Sequence, residues 1–243
     1  MIYYTGTHVL THLKSLDYGF ISVNILRKRK SDFPANKWIL DSGAFTELTQ
    51  YGYYRNTPDE YADRINRWKD CGTMELAVTQ DYMCEPFVLA KTGLTVKKHQ
   101  EATIERYLAI VKLTDATIMP VLQGYEPTEY VNHLMMYGDL LKDGMRVGIG
   151  SVCKRNATIG SIVEIIQALQ DANPNLRYHG FGLKYTALKS NYIYENLYSA
   201  DSLAWSYAAR CEGRDGNALS EAIKYRDRVL ETAGSKPTQL YFR

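Results

Sequence analysis

Short runs of apolar and β-branched residues alternate along this chain with longer stretches in which apolar positions recur every three or four residues. The short runs are MIYYTG (1–6), FISVNIL (20–26), KWILDSG (37–43), MELAVTQD (74–81), TIMPVLQG (117–124), RVGIG (146–150), RYHGFGLK (177–184) and YSADSLAW (198–205). Such runs predict strands buried on both faces. The longer stretches predict amphipathic helices. TPDEYADRINRWKDC (57–71) opens with Thr57 as N-cap, Pro58 in the first turn and Glu60 closing a capping box, and its Tyr61, Ile65 and Trp68 recur at helical spacing. The same periodicity runs through 95–113, 127–141, 161–172 and 218–234, the last ending at Gly234 as a C-cap.

Eight strand candidates, most followed by a helix, fit a closed (β/α)8 barrel, the TIM-barrel fold. An open doubly wound sheet would carry a Gly-rich phosphate turn after its first strand, and YYTGTH is no such turn. No linker, repeat or low-complexity segment divides the chain. The expectation is one α/β domain over residues 1–243.

Composition narrows the function. The chain is 45% hydrophobic and 23% charged with a net charge of +2, so no global basic field announces a nucleic-acid binder. RKRK, Arg27 to Lys30, is the one dense basic patch and reads either as a solvated loop or as a phosphate contact. The four cysteines are scattered without a CxxC pair, which argues against structural zinc and against a disulfide framework. Reduced thiols, no charged-plus-apolar leader and no apolar run of roughly 18 residues predict a cytoplasmic protein outside the membrane. No metal or cofactor is expected.

In a barrel of this kind chemistry sits at the C-terminal ends of the strands. Those ends carry Asp41, Asp81, Gln123, Gly150, Lys184 and Asp201. Each alone could cap the next helix. Together they place three carboxylates, an amide and an amine on one rim, and the residues after Asp41 and Asp201 do not read as clean helix starts. That convergence points to a catalytic site.

The motifs DSGAF (41–45), QDY (80–82), LQGY (122–125), GIGSV (148–152), HGFGLK (179–184) and SADSLAW (199–205) occur in the order seen in tRNA-guanine transglycosylases. Over about residues 37 to 210 the chain resembles most the smaller, DNA-acting branch of that superfamily, which includes DNA 7-deazaguanine transglycosylases and base-excising enzymes linked to phage defence. The resemblance implies that Asp201 is the nucleophile at the anomeric carbon and that Asp41 is a general acid/base or orienting group. It implies that Asp81 and Gln123 read the edge of the bound base. Gly150 and Ser151 would lie against the base, and Phe45 would stack on its face.

Two departures matter. The cysteine- and histidine-rich zinc insertion of the tRNA enzymes has no counterpart, which favours a nucleotide flipped out of DNA over tRNA. After GIGSV, where some relatives place a glutamate to meet an amine, this chain continues Cys153, Lys154, Arg155, Asn156. A basic pair disfavours a cationic substituent and suits phosphate or a neutral, acceptor-rich group. Arg27, Lys28, Arg29, Lys30, Lys154, Arg155 and Lys184 are the candidate DNA contacts. The loop YMCEPFVLAKTG (82–93) is a candidate lip for an extruded base, and His179 reads as a hydrogen-bonded core residue.

The leading expectation is a DNA glycosylase that excises a modified base, leaves an abasic site and acts on modified phage DNA in defence. Exchange of guanine for a free 7-deazaguanine in DNA stands almost level with it. A non-catalytic barrel that binds modified DNA, and a barrel acting on free nucleosides, are the remaining alternatives. The oligomeric state is open.

Overall fold

In the computed structural model the described residues are 1–155 and 158–234; Asn156, Ala157 and the tail 235–243 lie outside them. Among the described residues nine parallel strands form a nearly closed α/β barrel: β1 (Ile2–Gly6), β2 (Tyr18–Ser22), β3 (Lys37–Asp41), β4 (Thr73–Val78), β5 (Ile118–Met119), β6 (Val121–Leu122), β7 (Arg146–Ile149), β8 (Arg177–Gly180) and β9 (Ser199–Ser202). Their order is β5-β4-β3-β2-β1-β9-β8-β7-β6. The two ends of that order, β5 and β6, are consecutive in the chain. Pro120 separates them because it has no N–H for the ladder. Its neighbourhood still bridges the gap: Thr79 N–H donates to the Met119 carbonyl at 3.1 Å, and Gly148 N–H donates to the Pro120 carbonyl at 2.8 Å. Eight expected strands thus become nine, and the ring is nearly closed.

Alternation along the strands builds two cores. Tyr4, Phe20, Ile39, Leu76, Val78, Met119 and Val121 form the inner one. Tyr3, Ile21, Trp38, Leu40, Ala77, Leu122 and Tyr178 belong to a larger one shared with the helices, including Tyr61, Ile65 and Trp68. Every strand is buried on both faces, which is why the runs read as continuously apolar. The helix Pro58–Trp68 carries the capping box, with Thr57 accepting from Glu60 N–H and the Glu60 carboxylate accepting from Thr57 N–H.

Several boundaries differ from the sequence expectation. FISVNIL divides into the end of β2 and a short helix, Val23–Leu26, which Ser22 caps. HGFGLK is strand only to Gly180, so Lys184 is no strand end but the N-cap position of the helix Tyr185–Leu188. The 82–93 segment holds a helix, Pro86–Thr92. Helices do follow Asp41 and Asp201, at Ala44–Gln50 and Ala204–Cys211, yet neither has a side-chain cap. The N-cap positions are Gly43 and Leu203, so neither carboxylate is the N-cap of the helix that follows it.

Among the described residues no helix is long and apolar enough to cross a membrane, and no group of three or more His, Cys, Asp or Glu is placed to hold a metal ion.

Candidate active site

Asp41, Phe45, Asp81, Gln123, Gly150, Ser151 and Asp201 all line one cavity of about 300 Å³ at the C-terminal mouth of the barrel. Five different strands or the turns after them deliver these residues, so the parallel topology itself gathers them.

Asp201 stands in β9. Gly182 N–H donates to its Oδ1 at 3.0 Å, and His179 Nε2 lies 3.3 Å from the same oxygen. His179 is fully buried, and its Nδ1 is 2.9 Å from Ser199 Oγ. Asp201 has only acceptors, so the consistent tautomer carries its proton on Nε2 and accepts from Ser199 at Nδ1. Burial holds the imidazole below its ordinary pKa, which keeps it neutral. The ring lies parallel to Phe20 at 5.8 Å and edge-on to Phe181 at 4.8 Å. His179 and Gly182 thus hold one oxygen of Asp201, and among the described residues no hydrogen bond is made to the other.

Asp41 ends β3, and its Oδ2 accepts from Gly43 N–H at 3.0 Å. Burial, with a smaller contribution from the Asp201 charge, pushes its carboxyl up to about 6, while the Gly43 N–H opposes the rise. Asp81 is pushed up to about 7, first by burial and then by the charge of Asp41, against the stabilising Gln123 amide. Gln123 Nε2 donates to Asp81 Oδ2, and Tyr54 OH donates to the Asp81 carbonyl at 2.8 Å. A carboxyl lifted toward neutrality, as that of Asp41 is, suits proton transfer in a cavity that also holds Asp201.

Gln123 is held from all sides. Its N–H donates to His133 Nδ1 at 2.8 Å, and its carbonyl accepts from Gln100 Nε2 at 2.8 Å. Its amide passes so close to Gly150 that a Cβ there would lie 2.1 Å from Nε2. Glycine at 150 is therefore a condition of the amide's position. Ser151 follows with φ of 54°, the single non-glycine residue with positive φ among the described residues. Arg155 braces that turn by donating from Nε to the Ser151 carbonyl at 3.2 Å.

At the mouth, Phe45 is 46% exposed and Lys154 Nζ stands 4.9 Å over its ring. Arg155 faces the Tyr125 ring at 4.1 Å. All seven cationic candidates, Lys154 and Arg155 included, stand outside the cavity lining. Lys28, Lys30 and Lys184 are exposed. Arg27 is bound to the buried Glu47 at 3.0 Å, and Arg29 donates to the Ser31 and Asp32 carbonyls.

Sequence reasoning missed Glu85. It sits in the 82–93 segment, 3% exposed, with Oε2 2.7 Å from Ser151 Oγ and Oε1 4.0 Å from Cys153 Sγ. Burial raises its carboxyl above the ordinary range. The available signal was an acid immediately before Pro86 in an otherwise apolar stretch, which carries no periodicity to place it.

The cavity thus offers a carboxylate with one free oxygen, a second acid that titrates near neutrality, and a buried amide–acid pair at its floor. That set can stabilise positive charge on a sugar while holding the edge of a flat polar ring. The family described as DpdA, DeoxyPurine in DNA protein A, matches residues 1–236. No curated protein matches the chain.

Proposed function

This chain belongs to the DpdA family, which is related to tRNA-guanine transglycosylase and acts on DNA, and from that premise we propose that it exchanges a purine base in DNA for a free 7-deazaguanine. Asp201 attacks C1′ of a flipped-out nucleotide; the C1′–N bond breaks and a C1′–O bond to the carboxylate forms. The base departs with the bonding electrons and takes a proton from Asp41. An incoming base gives a proton back to Asp41, attacks C1′ and releases Asp201. A carboxyl near 6 can serve both directions close to neutral pH.

The observation that carries exchange over excision is the built seat at the cavity floor. Asp81, Gln123 and Ser151 are buried and joined by hydrogen bonds, and Gly150 is cut to fit them. Such a seat serves a reaction in which a free base must be recognised after the first has left. Excision would need water at C1′ and would give the emptied pocket no further task; it remains the reading in which the enzyme attacks modified phage DNA. Lys154 and Arg155 at the rim favour a neutral or acceptor-bearing substituent over a cationic one.

The test is incubation of duplex and single-stranded DNA with and without labelled 7-deazaguanine. Exchange predicts label in alkali-stable DNA and released guanine. Alkali-labile breaks without added base would establish excision instead.

A further inference from the structure

A serine hydroxyl has one proton, and Ser151 is surrounded by more acceptors than one proton can satisfy. Its Oγ accepts Cys84 N–H at 2.8 Å. It also lies 2.7 Å from Glu85 Oε2 and 2.7 Å from Gln123 Oε1. With the Gln123 amide nitrogen on Asp81, the hydroxyl must donate to Gln123 Oε1, so Glu85 must donate to Ser151 and be a neutral acid. The alternative runs the other way. If Glu85 is ionised, Ser151 donates to it, and Gln123 turns by half a rotation to present its NH₂ to Ser151. Its carbonyl then faces Asp81, which must hold a proton to donate.

Either arrangement keeps one proton between the two carboxyls. Passing from the first to the second removes a proton from Glu85, adds one to Asp81, turns over the Ser151 hydroxyl and rotates one amide. A chain with a proton at both ends, or at neither, leaves two like groups facing each other somewhere along it, at a cost of a lost buried hydrogen bond.

We propose that Glu85, acting through Ser151 and Gln123, sets which edge the cavity shows to a base: an anionic Asp81 beside an amide N–H, or a neutral Asp81 beside an amide carbonyl. Glu85 is a positioning and specificity-determining residue rather than a catalytic one, because it reaches the cavity only through its neighbours. The meaning for base choice rests on the proposed exchange; two bases of different edge chemistry could share one seat that reverses its polarity. The neutral state of Asp81 would also relieve repulsion with a departing, electron-rich base, in a cavity that already holds Asp41 and Asp201. The charges facing the chain are Asp41 beside Asp81, and Lys154 and Arg155 beside Glu85; the Tyr54, Cys84 and Cys153 side chains stay protonated neighbours, raised by burial.

The experiment needs no DNA, so it stands or falls apart from the exchange reading. The side-chain carboxyl carbons of Asp81 and Glu85 are followed by NMR across pH in the wild type, Glu85→Gln and Ser151→Ala, with the fold of each checked by circular dichroism. Sharing one proton predicts that both carbons follow the same two steps, separated by more than about one pH unit. Glu85→Gln should leave Asp81 one step at a lower midpoint, since a negative neighbour is gone, and Ser151→Ala should uncouple the two carboxyls. A single Asp81 step whose midpoint Glu85→Gln leaves in place would overturn the proposal. Coupling that survives Ser151→Ala would overturn the route.

Discussion

The imidazole of His179 stands with Nε2 3.3 Å from Oδ1 of Asp201, the same oxygen that the Gly182 N–H holds at 3.0 Å. Two donors on one oxygen orient the carboxylate without occupying the other. His179→Phe keeps an aromatic ring against Phe20 and Phe181 but deletes the donor. We expect kcat to fall by about 10- to 100-fold with KM little changed, the cost of a loosened nucleophile. Steady-state kinetics on a DNA substrate measure it, and a loss seen only in KM would assign His179 to binding.

Asp41 should govern the alkaline side of the pH profile. Its carboxyl is pushed up to about 6 by burial, so it is a carboxylate above that pH and a neutral acid below. The departing base takes its proton from Asp41, so base release should decline as pH rises through about 6. Asp41→Asn should lower the rate and erase that limb. A wild-type alkaline limb that survives in Asp41→Asn would belong to another group.

Stability should fall with rising pH as well. Asp81 has its pKa raised on folding from 3.8 to about 7, so the folded state binds its proton more tightly than the unfolded state does. The stability this group contributes is present below about pH 4 and is lost as pH rises through 7. Asp41 adds the same sign up to about 6. The melting temperature should therefore drop between pH 5 and 8 by an amount on the order of a few kcal/mol in stability. Asp81→Asn should flatten the drop, and calorimetry over that range decides it.

Gly150→Ala tests the proposed base seat directly. A Cβ 2.1 Å from Gln123 Nε2 must displace the amide and with it the contact to Asp81. Activity should fall by about 100-fold or more while the circular dichroism spectrum is kept. Normal kinetics in this variant would remove Gln123 from base recognition.

Much of this site was legible because a parallel barrel buries its strands on both faces and sends their C-terminal ends to one rim. Asp41 and Gln123 could be located from KWILD and MPVLQ for that reason. Lys184 was misplaced because β8 stops at Gly180, where Phe181 turns into the cavity and Gly182 takes a φ of +62°. Glu85 was invisible because a loop has no period, and only the fold brings it to Ser151. His179 reads as a buried hydrogen-bonded residue from its strand, but its link to Asp201 depends on the β8–β9 register, which pairs His179 with Ser199. Arg27 shows the same limit: its partner Glu47 lies on another element.

That pairing divides the basic run. Arg27→Ala should destabilise the fold, since Glu47 is buried and would lose one of the two arginines that neutralise it. Lys28→Ala with Lys30→Ala should leave stability alone and, if these exposed lysines meet phosphate, reduce the salt dependence of DNA binding by about one unit of slope per contact. Binding isotherms at several salt concentrations read this out. An unchanged slope would return both lysines to plain solvent-exposed positions.

The central claim is that Asp201 forms a bond to the sugar as the base leaves. Its most direct measurement is the intact mass of the protein after incubation with a short DNA substrate and no acceptor base. A covalent bond from Asp201 to the sugar predicts a species equal to protein plus oligonucleotide minus the departed base, absent in Asp201→Ala and discharged on adding 7-deazaguanine. A well-folded Asp201→Ala protein that still releases base at a near wild-type rate, with no such adduct in either protein, would contradict it.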